Sequence, residues 1–276
     1  MTFITVDEVR NRSGAPSTLV TDAQITQFIA QVEAEMARWL NTKFVPTETI
    51  EIRDGNSLSR IFTRKNPLLS VRALTSNDST SLTPSTLHWH RPSGKISLAS
   101  GAETGTFVHG SQNTFIKYIY GFVEEDEDVK TTTNADISVG TSVTVTVVDS
   151  TGIAVDDWVE IYGMDGKKEA CKVTDTPSVN TLVLDQVVKT HESGSVVAKL
   201  TIPEYIKTYM MIEAAICVAI NAIGATYVFN ASYNLGELQV TKGVPYTHWR
   251  ESVDKLTKER MMRKARIKPR PSIMVN

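Results

Sequence analysis

Histidine is the residue type of this sequence best suited to bind a metal ion, and two of the five histidines lie close together. His88 and His90 occupy a strand-like stretch, and residues two apart on a strand share one face, so both rings could reach the same ion. Such a site needs at least one further ligand, and His109 is the nearby candidate. Paired surface histidines are the simpler interpretation, and we predict no metal site and no cofactor.

Nucleophilic and general acid–base chemistry finds no support in the sequence. The chain has no G-x-S-x-G elbow, no P-loop, no dinucleotide-binding glycine pattern and no H-E-x-x-H. Cys171 and Cys217 lack the neighbours that activate a thiol, and His191 and His248 have no sequence partner that implies catalysis. We therefore predict that the protein is not an enzyme, has no catalytic residue and keeps both cysteines as buried free thiols.

Charge is segregated along the chain, although the formal net charge is only −2. Residues 124–128 read EEDED, and because nothing there follows the spaced ligands of a calcium loop, a solvated linker is the simpler interpretation. From Lys258 onward the balance is strongly basic, which would suit nucleic acid, a membrane or a protein partner. No aromatic residues are interleaved there for base stacking, so contact with nucleic acid would be limited to phosphates.

A membrane-spanning segment is a further alternative, because residues 209–229 have nearly the length of a spanning helix. Glu213 and Asn221 argue against it, since polar groups inside a bilayer are costly. The first residues, MTFITVDEVR, carry acids where a signal peptide would carry bases. We expect an intracellular protein without membrane contact, in which this helix is buried by its neighbours and by other subunits.

Helices are predicted at both ends of the chain. Thr5 with Glu8, and Thr21 with Gln24, have the spacing of capping boxes, and apolar residues recur at helical intervals over 22–40. Two later helices are expected to begin at prolines, which suit the first helical turn: Pro203 and Pro245.

Strands are predicted between these helices. The stretch TIEIRDGNSLSRIFT alternates around Asp54-Gly55-Asn56 and is expected to form a hairpin, and LHWHR with GKISLAS is expected to form another. LLSVRALT and TFIKYIYGF are further predicted strands. From 131 to 200 short strands recur at regular intervals, a pattern typical of a small barrel or sandwich.

The predicted fold class is α+β. It comprises a helical core, made of the N-terminal amphipathic helix and two C-terminal helices, with a small β region and an inserted all-β barrel or sandwich module. Along the chain we expect a first core segment 1–122, the inserted module 123–201, a second core segment 202–264 and an extended basic tail 265–276. Such an insertion is tolerated where the two ends of a surface loop lie close together.

The order of these elements resembles that of the head–tail adaptor, or connector, proteins of tailed bacteriophages. The resemblance rests on VDEVRNRSG, VTDAQITQFIAQVEAEMARWLNTKF, the DGN turn with NPLLSVRALT, FIKYIYGF and IPEYIKTYMMIEAAICVAI. In that family the Y-x-Y-G strand leads almost directly to a helix that begins at proline, whereas here residues 123–201 intervene. Because GIAVDDWVEIYG, NTLVLD and THESGSVV resemble small barrels of phage structural proteins, we expect an adaptor with an inserted β-barrel module.

The resemblance implies a structural virion protein in the neck, between the capsid portal and the tail, assembled in the host cytoplasm. Such adaptors form rings, typically of twelve copies, that dock on the portal, extend the DNA channel and offer an attachment surface for the next neck or tail protein. Double-stranded DNA would pass through without sequence-specific contact. The alternatives are another neck or tail-completion protein, and a DNA-binding assembly factor that uses the basic tail.

Two sets of site residues follow from this resemblance. The C-terminal segment is expected to bind the portal through basic residues that meet an acidic surface and apolar residues that enter a groove: Arg263, Lys264, Arg266, Lys268, Arg270, Ile273, Met274 and Val275. Apolar residues of the two C-terminal helices are candidates for contacts between subunits: Ile206, Met210, Met211, Cys217 and Trp249.

Overall fold

Strands dominate the fold of this protein. The computed structural model describes residues 4–76, 80–98, 106–229, 233–235, 238–240, 245–264 and 267. Of these residues, 40% lie in strands and 29% in helices. The helices are α1 (Val6–Ser13), α2 (Asp22–Trp39), α3 (Glu204–Phe229) and α4 (Pro245–Lys264), with a short 3₁₀ helix at Pro84–Thr86. The strands are β1 (Thr47–Gly55), β2 (Arg60–Phe62), β3 (Leu68–Ser76), β4 (Thr80–Leu82), β5 (Leu87–His90), β6 (Lys95–Leu98), β7 (Gly110–Tyr120), β8 (Glu124–Thr132), β9 (Gly140–Thr146), β10 (Trp158–Tyr162), β11 (Lys168–Ser178), β12 (Thr181–Val187), β13 (Val196–Thr201), β14 (Tyr233–Leu235) and β15 (Leu238–Val240).

The predicted fold class, with a helical core and only a small β region, is therefore wrong. Two large clusters of buried apolar side chains lie between strands, one in the sheets before residue 121 and one after residue 136. The helical patterns at the two ends are long and regular, whereas most strands are short. Pairing between strands that are distant in sequence leaves no local pattern, so the share of the core held by strands was underestimated.

The chain divides into two compact units. The helical unit consists of Met1–Leu40 with Pro203–Asn276, and the strand unit is Asn41–Ile202. Both β regions belong to the strand unit. The predicted four-part division of the chain stays a prediction.

The helices of the helical unit begin where the sequence indicates. At α1 the Thr5 amide donates to the Glu8 carboxylate at 2.7 Å while the Thr5 hydroxyl accepts from the Glu8 amide, and Thr21 with Gln24 repeats this capping box at α2. Helix α3 packs against α1, α2 and α4. Among the described helices, α3 alone is long and apolar enough to span a membrane, but 56% of that stretch is buried inside the protein. Packing on several sides agrees with the predicted buried helix.

The predicted hairpin at Asp54-Gly55-Asn56 is wrong, because the strands on either side of it join different sheets. Strand β1 pairs with β7 in a four-stranded antiparallel sheet of order β1-β7-β3-β4, and β2 pairs with β6 in a three-stranded sheet of order β2-β6-β5. At Gly55 a Cβ atom would lie 1.6 Å from the Val108 carbonyl oxygen, so the glycine allows a close backbone approach there. The second predicted hairpin is confirmed as β5–β6.

A six-stranded antiparallel sheet of order β8-β13-β10-β11-β12-β9 forms the second half of the strand unit. Its two outer strands meet at one end through a bridge between Thr133 and Val147. The acidic run EEDED lies in β8, paired with β13 from Glu124 opposite Thr201, so the predicted linker is wrong. Pairing with β13 fixes this backbone, and neighbouring cations offset its negative charge. The predicted inserted barrel stays a prediction.

Candidate functional site

A junction joins the four-stranded and six-stranded sheets within the strand unit. An apolar cluster spans it, with contributions from both sheets and with Trp158 packed against it: Leu69, Ile119, Val123, Ala170 and Leu200. Because this cluster is almost free of solvent, any charged side chain that enters the junction must find its partners there.

Arg72 of β3 is the charged residue that reaches into this junction, and its side chain is only 1% exposed. Its guanidinium donates to both carboxylate oxygens of Asp185, at 2.9 and 3.1 Å, and to the carbonyl oxygens of Ala170 and Gln186. One guanidinium nitrogen thus contacts both oxygens of a carboxylate that is 30% exposed, and these charge-assisted bonds fix geometry as well as charge. Arg72 thus ties β3 to β11 and β12.

A second arginine, Arg91, bonds the turn after β5 to β10 and to the start of β8. It donates to the two carboxylate oxygens of Glu160 at 2.9 and 3.0 Å and to the Val123 carbonyl oxygen at 2.6 Å. The Glu160 side chain is 1% exposed, so this carboxylate needs the neutralisation that Arg91 supplies at 2.9 Å and Lys168 at 3.8 Å.

Glu125 of the acidic strand β8 extends this network towards the surface. It accepts hydrogen bonds from the Tyr162 hydroxyl at 2.8 Å and from Lys168 at 3.2 Å, and it forms an ion pair with Lys130 at 3.2 Å. Burial alone would raise the pKa of Glu125, but these three partners outweigh it and lower the pKa to about 2.

A groove of about 350 Å³ opens between β5 and the six-stranded sheet. We call it the Trp89 groove and define it by six of its lining residues: His88, Trp89, His90, Lys167, Lys168 and Lys189. The Lys189 ammonium lies 3.5 Å from the centre of the Trp89 ring. This is a cation–π contact in a cavity of the size that ligands occupy.

The two histidines of the metal hypothesis line this groove, and both are exposed. The His90 ring nitrogen Nδ1 lies 2.9 Å from the Ser93 hydroxyl. In the described part of the chain, no three His, Cys, Asp or Glu side chains are arranged to hold a metal ion.

His191 has a buried partner that sequence reasoning missed. Its Nε2 lies 2.8 Å from Glu169 Oε1, and both side chains are 0% exposed. The Glu169 carboxylate also accepts from the amides of Val188 and Lys189 at 2.8 and 2.9 Å. Twenty-two positions separate the pair in sequence, and no local pattern marks it. The pair holds the β12–β13 connection against β11.

Both cysteines are free thiols, as predicted, with Cys171 buried and Cys217 half-buried. The Cys171 thiol donates to the Gln186 carbonyl oxygen at 3.2 Å. Burial raises the pKa of both thiols, so neither carries a thiolate suited to nucleophilic attack at neutral pH.

Residues 2–136 match the family model of the Head completion protein family, and no curated protein matches the chain. This segment is similar to the head completion protein family. The match covers just under half of the 276 residues and includes α1, α2 and β1 to β8. The resemblance to phage head–tail connector proteins is thereby confirmed.

The match suggests a structural role in a bacteriophage particle, because the family consists of structural proteins rather than enzymes. It implies a location in the virion near the head–tail junction and interaction with other head or tail proteins.

The predicted portal-binding residues begin at the end of α4. Arg263 donates to Glu259 at 3.1 Å, and the Lys264 ammonium lies 5.6 Å from the centre of the Trp39 ring. The other six lie outside the described residues: Arg266, Lys268, Arg270, Ile273, Met274 and Val275. This set stays a prediction.

The candidates for subunit contacts differ in exposure. Ile206 and Met210 are completely buried within the helical unit, whereas Met211 and Cys217 are half-buried. Trp249 lies in α4, but its side chain is outside the described residues. These candidates also stay predictions.

Proposed function

We propose that this protein is a head–tail adaptor that forms a ring in the neck of the virion. The observation that carries the proposal is the family match over residues 2–136. Its mechanism is geometric. The ring, of twelve copies, docks on the portal protein, extends the channel for double-stranded DNA without reading its sequence, and offers a surface to the next neck or tail protein.

Helix α3 supports the proposal of contacts between neighbouring subunits. Tyr205 and Ile220 on α3 are 44% and 54% exposed, and Met211 and Cys217 are half-buried. Apolar side chains of this size on a helix that is otherwise buried are suited to cover by a second copy of the chain.

The basic end of the chain supports the proposal of portal docking. Met261 and Met262 are 62% and 66% exposed on α4, directly before Arg263 and Lys264. The sequence continues as ARIKPRPSIMVN. Pro269 and Pro271 would limit the backbone freedom of this segment and so lower the entropy lost on docking, while the basic side chains would meet acidic groups of the portal.

The docking proposal is tested by deleting residues 265–276 and measuring binding to the purified portal protein by sedimentation. We expect portal binding to be lost while the ring, seen by negative-stain electron microscopy, persists. A matched control replaces Lys117 and Lys172, which lie in the strand unit, with glutamine. Unchanged portal binding by the deleted chain would refute the role of the tail.

The ring is tested separately by Ile220→Asp. A carboxylate on this exposed α3 position would have to be buried at the subunit contact without a partner, so we expect rings to be replaced by monomers. The control is Val179→Asp, which adds the same charge at a position that is 66% exposed in the strand unit. Rings that persist in Ile220→Asp would contradict the proposed contact.

A further inference from the structure

The Trp89 groove contains a buried cation without an anionic partner. Lys189 is only 6% exposed, and its ammonium rests over the Trp89 ring. Among the described residues, no carboxylate oxygen lies within 4.0 Å of this ammonium, although most other lysines of the strand unit have one. Burial lowers the pKa of Lys189, although the Glu169 carboxylate opposes this shift. An ammonium held in this way loses hydration and gains the ring contact and the more distant Glu169 and Asp165 carboxylates in return.

The rest of the groove adds positive charge around this ammonium. Lys167 and Lys168 lie at its rim with side chains 44% and 48% exposed. Their carboxylate partners, Asp165 and Glu160, also line the groove, and Glu160 is shared with Arg91. The groove therefore keeps an excess of cations, and Lys189 is its deepest unpaired one.

We propose that the Trp89 groove is a docking site for an acidic segment of another protein, which places one carboxylate on the Lys189 ammonium. The Trp89 indole N–H has no acceptor among the described residues and is available as a second donor to that segment. The proposal goes beyond the adaptor function, since it requires neither the ring nor the C-terminal tail.

The neighbourhood of the groove favours an acidic protein segment over nucleic acid. Arg91 borders both this groove and a surface lined by Glu124, Glu125 and Glu127. Duplex DNA carries about one negative charge per 1.7 Å of its axis, so a strand laid along the groove would meet these carboxylates. A short peptide can instead place single carboxylates on the cations and turn away from the acidic strand.

The test is titration calorimetry of the full chain with an octaglutamate peptide at low salt. We expect Lys189→Gln to weaken peptide binding by about tenfold or more and Lys189→Arg to preserve it. The matched control is Lys117→Gln on β7, which removes an equal charge from a lysine that is 40% exposed and paired with Glu48 at 3.0 Å. It should change the affinity by no more than about twofold.

Four outcomes would overturn the proposal. They are absence of peptide binding, equal loss in Lys189→Gln and Lys117→Gln, tighter Lys189-dependent binding of a short duplex DNA, and Lys189-dependent self-association in sedimentation. The DNA result would assign the groove to nucleic acid, and self-association would assign it to a second copy of the chain.

A thermal melt separates a binding role of Lys189 from a structural one. Lys189→Met keeps the apolar stem and removes the buried charge, so we expect an unchanged or higher Tm together with loss of peptide binding. A clearly lower Tm would mean that the ammonium stabilises the fold, and the binding role would be rejected.

Discussion

An ion pair of the strand unit and one of the helical unit contribute differently to the stability of the fold. In the strand unit Arg72 is 1% exposed and meets Asp185 and two carbonyl oxygens at the junction between two sheets. In the helical unit Lys207 and Glu8 meet at 2.9 Å with about a third of each side chain exposed. A buried guanidinium that loses its partner remains buried and unpaired, whereas an exposed ammonium returns to water.

Burial, rather than the number of ion pairs, therefore determines how much an ion pair contributes to the free energy of unfolding. Arg72, which is buried, and Arg91, which is partly exposed, lie where elements distant in sequence meet, and they position the six-stranded sheet against β3 and β5. The exposed pair of Lys207 and Glu8 adds little to the stability of helices that are already held by capping and apolar packing. Substitutions that remove one partner at a time test this difference.

Arg72→Met should have the largest effect. It leaves Asp185 without its cation and two buried carbonyl oxygens without a donor, so we expect a loss of about 3 kcal/mol in the free energy of unfolding. Urea unfolding followed by circular dichroism measures this loss. The double variant Arg72→Met with Asp185→Leu should recover part of it, and a single-variant loss below about 1 kcal/mol would contradict the contrast.

Glu125→Gln tests the edge of the same network through its pH dependence. The pKa of Glu125 lies at about 2 in the fold and near 4.5 otherwise, so its stabilisation is present above about 4.5 and is lost as the pH falls towards 2. Because Glu125 is partly solvated, we expect it to contribute about 1–2 kcal/mol to the free energy of unfolding. Melts from pH 6 to about 2.5 should show a smaller acid-induced loss in the variant than in the parent chain. If stability fell equally with pH in the variant and the parent chain, the ionised Glu125 would not stabilise the fold.

Thr21→Ala measures what local sequence contributes to the helical unit. It removes the hydroxyl that accepts from the Gln24 amide at 3.3 Å, and such caps contribute about 1 kcal/mol. Thr21→Ser keeps the acceptor and should be nearly neutral by the same urea measurement. Equal losses in both variants would show that the methyl group, not the cap, matters.

Lys207→Gln should have the smallest effect, because its pair with Glu8 is solvated. We expect a change below about 0.5 kcal/mol in the free energy of unfolding, which shrinks further at high salt. A loss comparable with that of Arg72→Met would remove the distinction between buried and exposed pairs.

Elements with a local signal could be predicted from the sequence. The capping boxes at Thr5 and Thr21 set the start of α1 and α2, and the β5–β6 hairpin was recognised from its turn. Periodicity also identified β3, β7 and the strands after residue 140. In each case the determining residues lie within one element, so their spacing is visible in the chain itself.

Features that depend on distant partners could not be predicted. The Asp54-Gly55-Asn56 turn looks like a hairpin, but β1 finds its partner in β7, more than fifty positions away. The acidic run looks like a linker because the cations that balance it, Lys130 and Lys168, are not evident as partners in the sequence. The Trp89 groove could not be predicted for the same reason, since Trp89 and Lys189 are a hundred positions apart.

The sequence alone was enough to predict where the helices begin, where most of the strands lie, that both thiols stay free, and which phage protein family the N-terminal half resembles. The folded structure was needed to establish which strands pair, that Arg72 is buried, and that Lys189 has no carboxylate within 4.0 Å among the described residues. Local backbone preferences act over a few residues and are legible in the sequence. Charge neutralisation and strand pairing are settled by whichever groups the folded chain brings within a few ångströms.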